Sequence, residues 1–140
     1  MATVDAAGFV ERFARMWSAP DPERFGELWD AEGTLHHPSM AEPIPQTMIP
    51  DYLRRIQAML PDISLRVLNW AAGEDFVLIE WEITTTFQGE PMSWRGADRF
   101  TLRGDRPIEG VAYFDTHPLW IAIDPQLDRG PLEHVTVGAA

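Results

Sequence analysis

Residues 63–114 read ISLRVLNWAAGEDFVLIEWEITTTFQGEPMSWRGADRFTLRGDRPIEGVAYF. Four segments within them, about Ile63 to Ala71, Phe76 to Gln88, Met92 to Arg103 and Ile108 to Phe114, are rich in β-branched and aromatic residues, as pleated half-buried strands require. Between them stand Gly73-Glu74-Asp75, Gly89-Glu90 and Gly104-Asp105, residues that tolerate the backbone of tight hairpins. The pattern predicts four consecutive antiparallel strands.

Upstream the period changes from strand to helix. Phe9, Val10, Phe13, Met16 and Trp17 recur at spacings of three and four, which predicts an amphipathic helix from Val4 to Trp17, stopped by Pro20 and Pro22. Asp21 before Pro22 reads as an N-cap with proline at the first helical position, so a second helix is expected over Pro22 to Asp30. Thr34 to His37 is expected to be a short strand closed by Pro38. The stretch on to Pro45 is expected to be irregular loop, because prolines cannot donate ladder bonds. A third helix opens at Thr47 or Pro50, carries Ile49, Tyr52, Leu53, Ile56 and Leu60 on one face, and ends at Pro61. Helix, helix, strand, helix, then a four-strand meander is an α+β arrangement, with helices on one face of a bent, mainly antiparallel sheet. Beyond Thr116, the residues Leu119, Trp120, Ile121 and Ile123 suggest one turn of helix, and the small residues Val135 to Ala140 a loose tail.

Nothing in the 140 residues signals a second domain, repeat or linker, and a chain of that length buries about two-thirds of its unfolded surface. We therefore read 1–140 as one domain, with a core over about 7–119 and a tail over 120–140. Eleven Lys+Arg against 22 Asp+Glu give a net charge of -11, which disfavours nucleic acid and anionic membranes as partners and favours a neutral or apolar ligand. There is no cysteine, hence neither disulfide nor thiolate metal site. No signal-peptide pattern or long apolar run is present, so a cytoplasmic location is expected.

Two features carry chemical promise. His36 and His37 are adjacent on a strand and so point to opposite faces, which argues against a shared metal site and leaves one histidine for the pocket. Asp98 alternates with Trp94, Gly96 and Phe100 on one face of its strand, while Arg95 and Arg99 take the other. A carboxyl group among such neighbours on a concave face is desolvated, its neutral form is favoured, and it can donate a hydrogen bond or act as an acid. The alternative is an ion pair between Asp98 and a neighbouring arginine. Asp115, closing the last strand, is either a rim carboxylate or the cap of the turn into Thr116-His117-Pro118. Six tryptophans are a surplus for a domain this size, and Phe13, Trp17, Trp81, Trp94 and Tyr113 are candidate aromatic pocket walls. Glu80, Glu82, Arg95, Arg99 and Arg103 give the outer strand faces mixed charge, which suggests pairing across a two-fold axis and a homodimer.

In this order of elements the chain resembles the nuclear-transport-factor-2-like fold, and within it the SnoaL-like polyketide cyclases and ketosteroid isomerases, over about Ala7 to Leu119. The resemblance implies a cone-shaped fold with three N-terminal helices packed on a curved sheet around one pocket, action without a cofactor, and dimerisation. Ketosteroid isomerases carry a base before the proline that closes the first strand, which matches His37 in Thr34-Leu35-His36-His37-Pro38. Their protonated aspartate stands in an Asp-aromatic strand motif that matches Asp98-Arg99-Phe100. The tyrosine that completes their oxyanion hole matches Phe13, which has no hydroxyl. SnoaL-like cyclases place an acid/base aspartate near the end of the last strand, matching Asp115 in Tyr113-Phe114-Asp115-Thr116. The resemblance thus implies acid/base chemistry on an apolar carbonyl compound through an enolate: His37 as base, Asp98 on the enolate oxygen and Asp115 at the rim. The alternatives left open are a non-catalytic binding protein and an epoxide-opening enzyme, the latter weakened because Arg95 faces away from Asp98.

Overall fold

The computed structural model describes residues 4–124 and 126. Helix α1 (Ala6–Ser18) is capped by the Asp5 carboxylate, which accepts from the Gly8 N–H at 3.0 Å. Helix α2 (Pro22–Glu27) starts on Asp21, whose carboxylate accepts from the N–H groups of Glu23 and Arg24 at 2.9 and 3.2 Å. It stops three residues before the expected Asp30, and Leu28 to Asp30 complete the turn instead. Strand β1 (Thr34–His36) excludes His37. The proline-rich stretch contains a two-residue strand β2 (Ile44–Pro45) where loop was expected. β2 sits at the sheet edge, where Pro45 needs no N–H for a further neighbour and Ile44 can still be buried.

A single 3-10 turn (Gln46–Met48) leads into α3 (Ile49–Met59). The meander follows as β3 (Ser64–Ala72), β4 (Phe76–Phe87), β5 (Glu90–Arg103) and β6 (Arg106–Phe114), and a short helix α4 (His117–Ile123) ends the described chain. Residues 127–140, which include the expected loose tail Val135 to Ala140, lie outside the described residues. The β4–β5 turn places both Gln88 (φ 51°) and Gly89 (φ 81°) in the left-handed region, the primed turn whose twist matches the flanking strands.

The six strands lie in the order β2-β1-β6-β5-β4-β3, all neighbours antiparallel except β1 and β6. α1 packs on the inner face over β3 and β4, and α2 packs against α3. The core is largely aromatic: Phe100 meets the rings of Phe9, Phe13 and Trp29 edge-on, at centroid distances of 4.9, 5.4 and 5.6 Å. No described helix is long and apolar enough to cross a membrane.

The register builds the concave face in rows. Trp81, Gly96 and Phe114 form one, and Ile79, Asp98 and Ala112 the next. Gly96 is needed for close approach, since a Cβ there would stand 2.6 Å from Cη2 of Trp81 and 2.7 Å from Cβ of Phe114. The missing side chain lets the Trp81 ring lie across β5 beside Asp98.

Candidate functional site

Between the concave face, α3 and α4 lies a cavity of about 600 Å³ with predominantly apolar walls. Helix α3 contributes Tyr52, Ile56 and Met59, a stripe with helical spacing, and α4 contributes Leu119 and Trp120 at the mouth. The sheet contributes Asp98 at the back, with Trp81 and Trp94 beside it. A cavity of this size suits a small organic molecule.

Asp98 is 9 % exposed and makes no ion pair with any described residue. The arginine that flanks it in sequence is engaged elsewhere, with Arg99 on Glu109 at 2.7 Å across the outer face. Arg103 likewise holds Asp30 and Glu32, each at 2.7 Å. Asp98 Oδ1 is sealed from solvent without a hydrogen-bond partner. Its row neighbours, Ile79 and Ala112, offer no side-chain donor. Desolvation therefore dominates and pushes the Asp98 pKa up to about 7. The Trp81 indole N–H is near enough to oppose that shift in part, yet it closes no hydrogen bond, since Trp81 Nε1 also lacks a partner.

His37 follows β1 and turns into the cavity, whereas His36 faces outward with Nε2 3.8 Å from Glu109. The His37 ring meets Tyr52 and Phe114 edge-on at 5.4 and 5.1 Å, and burial lowers its pKa to about 4. It is a neutral imidazole at physiological pH. Its Nδ1 accepts from the Ser39 N–H at 3.2 Å. A neutral ring with Nδ1 as acceptor carries its proton on Nε2, which makes that nitrogen a donor.

Tyr52 was read from the sequence only as part of an apolar helix face, and the structure places it in the cavity wall. Burial, aided by the negative charge of Asp98, raises its pKa, so it remains a neutral hydroxyl and a donor. The available signal was that a tyrosine on an apolar stripe brings a hydroxyl that needs a partner.

The remaining candidates divide. Trp17, Trp81 and Trp94 line the cavity. Among the described residues, their three indole N–H groups and Asp98 Oδ1 are the buried side-chain atoms without a partner. Such atoms are costly to leave unpaired, and all four belong to side chains of the cavity wall while being closed off from its open space. Phe13 is not part of the wall: it is 1 % exposed and wedged in the core between Phe9, Trp17 and Phe100. Tyr113 alternates with the inward Ala112 and Phe114, so it lies on the outer face, 55 % exposed. Asp115 is exposed outside the cavity wall, and its carboxylate accepts from the His117 N–H at 2.9 Å, as a turn cap does. Among the described residues no group of three metal-ligating side chains converges.

Solved structures share this fold at low identity. A protein with a ketosteroid isomerase-like fold from Catenulispora acidiphila, solved with trimethylamine, superposes with a TM-score of 0.78 at 19% identity, over 91% of this chain and 100% of that one. AclR from Streptomyces galilaeus, described as a candidate hydroxylase, gives 0.76 at 16% identity over 96% and 89%. IdmH from Streptomyces antibioticus, described as a candidate polyketide cyclase, gives 0.73 at 17% identity over 85% and 98%. No curated protein matches the sequence. Residues 10–109, well over half the chain, match the SnoaL-like domain, and the chain belongs to that family.

Proposed function

We propose that the chain is an enzyme that acts by general acid/base catalysis on an apolar, carbonyl-bearing small molecule through an enolate, as a polyketide-type cyclase or isomerase. The observation that carries this reading is the isolation of Asp98: a carboxyl group with no cationic partner, at the back of an apolar cavity, with a pKa of about 7. A structural carboxylate is held ionised by a partner, whereas a catalytic one is poised near the working pH.

The roles follow from protonation. Ionised Asp98 takes a proton from the carbon next to the substrate carbonyl, and the C–H electron pair moves into the enolate. The charge arriving on the carbonyl oxygen is held by two neutral donors, the Tyr52 hydroxyl and Nε2–H of His37. Protonated Asp98 then returns the proton, to another carbon in an isomerisation or to the alkoxide formed when the enolate attacks a second carbonyl in a cyclisation. These steps need no cofactor. This assignment moves the base from His37 to Asp98 and leaves Asp115 outside the chemistry.

The test is deuterium exchange at the α-carbon of β-tetralone in D2O, followed by proton NMR. The wild-type chain should accelerate exchange over buffer, with a rate that rises to a plateau through a midpoint near 7. Asp98→Asn should lose about a hundredfold or more of that acceleration. Binding of the ketone without exchange would favour a non-catalytic binding protein.

A further inference from the structure

We infer that the ligand of this cavity is an apolar acid, bound with its anionic group at the mouth against Arg55 and its carbonyl end toward Asp98. The inference rests on the proposed reading of the cavity as a substrate site and adds the chemical class of the substrate.

The chain has no lysine and twice as many acidic as basic residues. In such a chain a guanidinium readily finds a carboxylate, and most do. Arg54, for example, holds both Asp51 and Glu23. Arg66, Arg95, Arg99 and Arg103 are paired in the same way. Among the described residues, Arg24, Arg55 and Arg106 have no carboxylate within ion-pair distance. Arg24 and Arg106 border a separate open depression that also holds Glu27 and Asp105. Among the described residues, Arg55 is the one arginine in the wall of the substrate cavity.

Its placement on α3 is specific. Arg55 falls on the cavity stripe with Tyr52, Ile56 and Met59, three residues and about 4.5 Å along the axis from Tyr52. Arg54, one residue earlier, lies about 100° around the helix and faces α2. The helix thus uses one arginine to join α2 and presents the next to the cavity. Of the two described carboxylates at the mouth, Asp51 pairs at 2.7 Å with Arg54, which it shares with Glu23. Glu42, on the loop between β1 and β2, makes no ion pair with any described residue. A guanidinium without a carboxylate partner among the described residues, beside apolar walls, is suited to a planar carboxylate or similar anion, which stays hydrated at the mouth while the apolar body enters.

The experiment compares two fluorescent probes with the same aromatic body, anionic anilinonaphthalene sulfonate and neutral N-phenylnaphthylamine, in about 0.15 M salt to screen the net charge. Arg55→Gln should weaken the sulfonate about tenfold and leave the neutral probe within about twofold, and Glu42→Gln should tighten the sulfonate alone. Equal loss of both probes would mean that Arg55 only packs the mouth, and no loss of the sulfonate would mean that it binds no anion. Either result overturns the inference while the cavity reading stands. If the neutral probe fails to bind the wild-type chain, the cavity is not a ligand site and both readings fall.

Discussion

The backbone N–H of Ser39 donates to Nδ1 of His37, and the Ser39 hydroxyl oxygen lies 2.7 Å from the same nitrogen. A backbone N–H can only donate, so this contact fixes the tautomer and makes His37 a donor through Nε2. His37→Gln, which keeps an N–H donor, should therefore retain α-exchange activity within about tenfold, while His37→Phe should lose about a hundredfold. Were His37 the base, glutamine and phenylalanine would be equally inactive, and the pH profile would already level off above a midpoint of about 4.

Asp98 opposes stability at neutral pH. Its pKa rises from 3.8 to about 7 on folding, so between those values the folded chain holds a proton that the unfolded chain has lost, and stability falls as pH rises. His37 has the opposite sign: its pKa falls from 6.5 to about 4, so its contribution is complete above 6.5 and is lost as pH drops toward 4. The two slopes offset one another in the wild-type chain. Asp98→Asn should match the wild type near pH 4 and exceed it at pH 8 by up to about 4 kcal/mol, measured by denaturant unfolding.

Gly96 supports the site by what it lacks. In Gly96→Ala the new methyl would meet the ring of Trp81 and Cβ of Phe114 below 3 Å, and Phe114 Cβ sits too near its backbone to yield. A loss of about 1–3 kcal/mol in stability is expected, with a shifted Trp81 and weaker binding of the neutral probe. Unchanged binding and stability would show that the concave face can open at this row.

The outer face bears on assembly. Leu78 and Tyr113 stand there, 41 % and 55 % exposed. Of the charges that suggested pairing between copies, Glu82, Arg95, Arg99 and Arg103 are paired within one chain instead, Arg95 on Glu82, Arg99 on Glu109 and Arg103 on Asp30 and Glu32. We expect a homodimer held by the apolar residues, dissociated by Tyr113→Asp. Light scattering that finds a monomer at micromolar concentration would contradict it.

The meander was legible because its strands alternate and its hairpins contain Gly89 and Gly104, and the helices because their apolar residues keep period and their starts show Asp21-Pro22. β2 was not legible, since Ile44–Pro45 is strand only by pairing with β1 at a sheet edge, which no local pattern encodes. Asp98 could be placed on the concave face from alternation with Trp94, Gly96 and Phe100. The same alternation, applied to β6, would have turned Tyr113 outward once Phe114 faced in. Roles were harder to read than positions. The direction of the His37 proton depends on Ser39 two residues later, and the Tyr52 contribution depends on α3 lying across the sheet from Asp98, a long-range juxtaposition.

The most direct test of the account is a pH titration of the Asp98 carboxyl carbon by 13C NMR, assigned by its loss in Asp98→Asn. A single midpoint near 7 is expected, and it should move when a phenolic enolate mimic enters the cavity. A midpoint near the ordinary 3.8, unmoved by the ligand, would mean an ionised structural carboxylate and would contradict Asp98 as the catalytic base.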